Sequence, residues 1–318
     1  MQFTTQIPIQ AGSPQIDYNS RILSLGSCFA VNMGQKLDYF KFRNSTNPFG
    51  ILFHPQAIET FISHAVNQKE FTEADIFYHN ERWHCFDAHS DLSSPDKDTI
   101  LHNLNHAILN TAETLKNATH VIITLGTAWV YRNTASSSLV ANCHKVPQKE
   151  FDKELLPVEA IQQSLKDIIN LIAEINNKAT IIFTISPVRH IKDGFTENQR
   201  SKAHLITALH TVLNTEHRTL NTAYFPAYEI MMDELRDYRF YTEDLVHPSL
   251  TAINYIWERF AQAWVSPASQ PVMKEADAIQ KSLLHRPYNP DGAQYIEFKE
   301  KLSARIQKLQ QQHPHIQF

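Results

Sequence analysis

The chain has 318 residues, with 29 Lys plus Arg against 33 Asp plus Glu and 17 His, giving a formal net charge of -4. That balance, without a local Lys/Arg run, excludes a protein that holds nucleic acid by displacing counterions. Hydrophobic residues at 42% and charged residues at 19% exclude a disordered chain and leave enough apolar surface for one large domain or two modest ones.

No run of about 18 apolar residues occurs, and the first residues lack a basic segment followed by an apolar core. No membrane partner is expected, and a cytoplasmic location is. Three cysteines, at 28, 85 and 143, are too few and too odd for a disulfide framework and predict free thiols. Only seven glycines are present, where about 7% is usual, so each marks a backbone position that other residues fill poorly.

In chain order, the alternation Phe3, Thr5, Ile7, Ile9 predicts a half-buried strand at a sheet edge. Residues 22–25 form a short apolar strand ending in Gly26, and Phe29, Met33 and Leu37 predict the helix that follows. Residues 43–55 are rich in Asn, Pro and Gly and predict a loop. A hairpin is expected within 71–90 with Asn80 near its tip, then a helix over 96–116 and an apolar strand over 121–125 ended by Gly126. Pro157 opens a helix to about 176; residues 180–185 are a β-branched strand; 197–213 are a helix; 223–225 are a short strand. Pro248 opens a further helix to about 264, with Leu250, Ile253, Trp257 and Phe260 on one face.

Alternating strands and helices predict an α/β fold with a mostly parallel sheet and helices on both faces, over residues 1–265. Beyond 266 the composition turns polar, and two helices, 275–284 and 295–311, form a C-terminal helical extension over 266–318. Its stripe Ile296, Phe298, Leu302, Ile306, Leu309 is expected to pack on the main domain or on a second subunit, giving a homo-oligomer.

Ligands of open parallel sheets bind beyond the carboxyl ends of the strands. Four segments there are unusual: Gly26-Ser27-Cys28, Gly126-Thr127-Ala128-Trp129, Ser186-Pro187-Val188-Arg189-His190 and Asp244-Leu245-Val246-His247-Pro248. Asp244, three residues before His247, can hold the imidazole by one nitrogen and leave the other for proton transfer. Cys28 at a helix N-terminus, beside a histidine, is expected to have a depressed pKa. Ser27 is a rival nucleophile or a turn residue. Arg189 can clamp an anionic group, support an oxyanion with His190, or brace its loop. His79, His84, Cys85, Asp87 and His89 lack metal-ligand spacing, so no metal is expected. No Gly-rich phosphate loop follows a strand, so no nucleotide cofactor is expected either.

Leu25-Gly26-Ser27-Cys28-Phe29-Ala30 resembles the signature of the GSCFA family, a group placed with the SGNH, or GDSL-like, hydrolases. Asn47-Pro48-Phe49-Gly50, the stretch WHCFDAHS over 83–90, Ser-Pro-Val-Arg-His over 186–190 and Asp-Leu-Val-His-Pro-Ser over 244–249 agree with it, so the resemblance spans about 20–260.

The resemblance implies a three-layer, flavodoxin-like fold. It sets Cys28 on the nucleophilic serine of the hydrolases and Ser27 on their aspartate. Backbone N–H groups of Cys28, Gly50 and Gly126 become oxyanion donors. Asp244 and His247 become the acid–base pair, and Asn47, His89, Ser90, Thr127, Trp129, Arg189 and His190 line the substrate. The asparagine of the hydrolases' third block is replaced within Gly126-Thr127-Ala128-Trp129, so the oxyanion site needs another donor. Two activities follow: an esterase or acyltransferase acting on a small-molecule or carbohydrate ester or thioester through a covalent acyl-enzyme, or a non-catalytic protein that keeps the pocket to bind such a ligand.

Overall fold

The computed structural model describes residues 5–214 and 220–318. In chain order the first half runs β1 (Arg21–Gly26), α1 (Cys28–Tyr39), β2 (Arg43–Thr46), α2 (Pro55–Val66), β3 (Phe77–His79), β4 (Arg82–His84), α3 (Lys97–Asn117) and β5 (His120–Leu125). Three short strands follow, β6 (Trp129–Asn133), β7 (Leu139–Val140) and β8 (Phe151–Leu155), then α4 (Val158–Ile175), β9 (Thr180–Ile185), α5 (Phe195–Leu213) and β10 (Asn221–Phe225). A single turn, α6 (Ala227–Glu229), leads to α7 (Leu250–Trp264), α8 (Gln270–Leu283) and α9 (Ala293–Gln312).

Five strands pair in the order β10-β9-β5-β1-β2, all parallel, and the expected α/β architecture is what forms. The central strands HVIITL and TIIFTI are buried along their whole length, as strands covered on both faces must be. Alternate residues feed two cores. Leu23, Leu25, Val121, Ile123, Ile181 and Phe183 face α2, α3, α4 and α5. Ile22, Ile122, Ile182 and Phe225 face α1, α7 and the C-terminal helices.

The helices begin where side chains satisfy their first amides. Asp96 accepts from Thr99 N–H at 2.7 Å, Ser249 from Ala252 N–H at 3.4 Å, and His54 Nδ1 from Ala57 N–H at 3.1 Å. Pro248 therefore lies just ahead of its helix rather than inside it, and Leu250 points to solvent while Ala252 and Ile256 take the buried face.

Several expectations change. Residues 3 and 4 lie outside the described residues, and 5–9 form no strand: Ile7 N–H donates to Glu234 Oε1 at 2.7 Å instead of to a strand neighbour. Residues 43–46, expected as loop, are the edge strand β2, whose polar RNST sequence carries no apolar alternation. The hairpin forms as β3 and β4, with Asn80 and Glu81 at positive φ in its two-residue turn. The three-stranded sheet β7-β6-β8 had no signature in the sequence.

The C-terminal stripe packs on its own chain: Leu302 and Leu309 are buried in the second core, with Phe298 and Ile306 against it. Ile296 remains 46% exposed. Leu302→Ala is expected to lower unfolding free energy in urea by about 2–5 kcal/mol, whereas Ile296→Ala should stay within about 0.5 kcal/mol of the parent; equal effects would contradict this packing.

Candidate functional site

Gly26 of β1 lies opposite Thr124 of β5, which lies opposite Thr184 of β9, so the three strands end at one level. The turn beyond β1 requires glycine. Gly26 has φ +126°, and a Cβ there would run into the carbonyl oxygen of Thr124. Its N–H donates to Asn47 Oδ1 at 2.8 Å, tying β1 to the loop after β2, and Ser27 N–H donates to Thr124 O at 3.0 Å. Ser27 is the N-cap of α1 and is completely buried, its hydroxyl without a partner, whereas Cys28, the first helical residue, is only half-buried. Of the two adjacent nucleophile candidates, Cys28 is the more accessible.

The expected depression of the Cys28 pKa is corrected by its surroundings. Burial pushes the thiol up, offset in part by the charge of Lys202 and by the N–H groups of Phe29 and Cys28. The positive charge acting on the sulfur therefore comes from α5. Lys202 is 1% exposed, and its Nζ donates to Gly126 O and Ser186 O, each at 2.7 Å. Burial lowers its pKa to about 7. Sequence reading missed this residue, yet a signal was present: 198, 202, 205, 209 and 212 make one helical stripe, and Lys202 stands on it among buried residues.

At the same edge, His247 Nδ1 lies 2.6 Å from Asp244 Oδ2, and the other carboxylate oxygen accepts from the backbone N–H of Val246 and His247 and from the Thr242 hydroxyl. These bonds, led by that of Thr242, hold the Asp244 carboxyl well below the usual carboxylate range. Leu245 sits between them at φ +57°. The loop is joined to the segment after β9 by Arg189 N–H to Val246 O at 3.2 Å.

Arg189 stacks its guanidinium 4.3 Å from the centre of the Tyr241 ring and 5.4 Å from that of Tyr238. His190, whose N–H donates to Asn198 Oδ1 at 2.9 Å, packs edge-on to Phe53 and has a buried, unpartnered Nε2. Burial, then the charges of Lys202 and His247, lower its pKa to about 3.

The oxyanion assignments also change. Gly50 N–H donates to Asn47 O and Gly126 N–H to Phe53 O, both at 2.8 Å, so neither is free for a ligand. Asn47, at φ +45°, instead offers a buried, unpartnered Nδ2 beside Gly26. His89 presses on Gly50, where a Cβ would strike it, and its Nδ1 lies 3.0 Å from Asp91 Oδ2. Ser90 turns to His144 at 3.4 Å, outside this group.

Thr127 Oγ1 bonds Ser201 Oγ at 3.0 Å and receives Trp129 N–H. Thr127, Trp129 and His190 line a cavity of about 590 Å³ that also has Tyr131, Cys143 and Lys192 on its wall. Among the described residues no group of three His, Cys, Asp or Glu is arranged to hold a metal ion, and no helix is long and apolar enough to cross a membrane.

The GSCFA family model matches residues 21–260, and that of the GSCFA domain protein, C-terminal domain, matches 276–318. The chain belongs to the GSCFA family. None of the curated proteins compared with it matches.

Two measurements check this site as a folded unit. Gly26→Ala is expected to cost about 1–3 kcal/mol or more, read as a lowered denaturation midpoint, because alanine is strained at this φ and meets Thr124 O. Burial also lowers the pKa of His54 and His144 to about 4 each, beside His190 at about 3. The unfolded chain takes up these protons below about pH 6.5 and the native chain does not. Stability present at neutral pH is therefore lost as pH falls from there toward 4, by up to about 1.4 kcal/mol per pH unit for each histidine. A urea midpoint constant over that range would contradict the neutral assignment.

Proposed function

We propose that this protein is an SGNH-like hydrolase or acyltransferase that acts on an ester or thioester through an acyl group carried on Cys28. The observation that carries the reading is the His247–Asp244 pair, 2.6 Å apart, at the sheet edge where the half-buried Cys28 opens α1. Asp244 orients the imidazole, and His247 moves protons to the leaving group and from the acceptor. Donors to the oxyanion come from the first amides of α1 and from Asn47 Nδ2, the latter standing in for the missing asparagine. Arg189 holds the loop that carries the pair through its N–H to Val246 O, and the cavity walled by Thr127, Trp129 and His190 takes the rest of the substrate. Water or a sugar hydroxyl is the acceptor.

One observation favours the second reading, a protein that binds such a ligand without turnover: the Cys28 thiol is pushed up rather than down. Incubation with an activated ester such as p-nitrophenyl acetate separates the two. We expect one acyl adduct by intact mass, absent from Cys28→Ala and retained by Ser27→Ala. Ester turnover should fall about 10²–10⁴-fold in His247→Ala. No adduct in the parent protein, or one that survives Cys28→Ala, would reject the covalent reading.

A further inference from the structure

Among the described residues no carboxylate forms an ion pair with Lys202, and the ionisable group whose charge acts on it is Cys28. Its Nζ is fixed at 2.7 Å from two carbonyl oxygens, those of Gly126 and Ser186, which follow β5 and β9. Two hydrogens of the amine are thereby committed, and the remaining position is not. Gly126 also abuts Ser27, where a glycine Cβ would lie 3.0 Å from Ser27 Cβ, so the carbonyl that holds Nζ borders the start of α1. A completely buried ammonium without a counter-charge is costly, and lysine answers burial by releasing its proton and becoming a base.

We propose that Lys202 Nζ is the proton acceptor for Cys28 Sγ. The proposal deepens the acyl-transfer reading, on which it rests for the use of the thiol. The neutral amine takes the Sγ proton as sulfur bonds to the acyl carbon. The bond from that carbon to the leaving oxygen or sulfur breaks, and the leaving group takes a proton from the His247 imidazolium. In the second half the acceptor hydroxyl gives its proton to His247 as its oxygen bonds to the acyl carbon. The acyl–Sγ bond then breaks, and Lys202 returns the proton to sulfur. Each group ends as it began. The two bases divide the work: Lys202 serves the nucleophile from inside the fold, and His247 serves leaving group and acceptor from the open side.

The ring of Tyr228 on α6 lies 5.7 Å from Nζ, and the charge of Lys202 acts on Cys28 of α1 and on His190 of the segment after β9. Burial keeps His190 neutral and the Tyr228 phenol protonated at working pH, so the proton is exchanged between Lys202 and Cys28. Such a pair titrates as a unit.

The test is the pH–rate profile of Cys28 alkylation by iodoacetamide, resolved from Cys85 and Cys143 by peptide mass. The parent rate should rise through an inflection near pH 7, where Lys202 releases its extra proton. In Lys202→Met, checked for folding by its circular dichroism melt, the inflection should vanish and the rate at pH 7.5 fall at least tenfold. A folded Lys202→Met with the parent profile overturns the proposal. So does an inflection that is lost in His247→Ala but kept in Lys202→Met. If the methionine variant does not fold, the parent profile decides: a single inflection at or above the ordinary thiol value of about 8.5 overturns the proposal. No acyl substrate enters this experiment. An inflection near pH 7 without an ester adduct therefore sinks acyl transfer and leaves the proton transfer standing.

Discussion

A parallel sheet covered on both faces has one edge at which its chain can meet a ligand, and here that edge is set by register: Gly26 opposite Thr124, Thr124 opposite Thr184. A slip of one residue would exchange the residues of the two cores, because alternate positions feed opposite faces. It would also move the Gly-Ser-Cys turn off the level of Gly126 and Ser186. Packing in the cores and alignment of the site are thus one constraint, enforced by the apolar surface of Leu23, Ile123, Phe183 and their neighbours.

Beneath this edge lies a polar floor. The hydroxyls of Ser27, Thr124 and Thr184 are buried without partners, and Lys202 reaches two strand-end carbonyls from α5. Ser201 of the same helix donates to Thr127 or accepts from it, and receives Ala128 N–H at 2.7 Å. One helix therefore braces both strand-to-loop transitions. Burial drives both Lys202 and His190 toward neutrality, and the charge of Lys202 adds to the cost of charging His190, so these two groups hold protons loosely.

The central strands and the long helices were legible because their apolar periods are strong: residues 180–185 coincide with β9, and Ile100, Leu104, Ile108 and Leu115 are all buried. Elements without such a period were not. The edge strand β2 is four polar residues, and the sheet β7-β6-β8 is built from short strands of mixed polarity whose partner is each other. Within the site, Asp244 and His247 were visible from their spacing, and Gly26 from the scarcity of glycine. The engaged amides of Gly50 and Gly126 were not, since a backbone donor's partner, here Asn47 O and Phe53 O, depends on how loops return. Cys28 was placed correctly at a helix start, but its pKa follows from burial by distant segments, which no local pattern records.

The far end of α1 is moored by the C-terminal region. Tyr39 Oη donates to Asp277 Oδ1 at 2.8 Å, Gln280 Nε2 to Tyr39 O at 3.3 Å, and Phe40 stacks on Trp257. A helix is stiff along its axis, so fixing its last turn limits the recoil of its first, where the thiol sits. The extension thus works as a ballast: cut away, it would take the Asp277 and Gln280 moorings from the last turn of α1, leaving that helix held by its own buried face of Phe29, Met33 and Leu37, and would lay bare the apolar side chains it shelters.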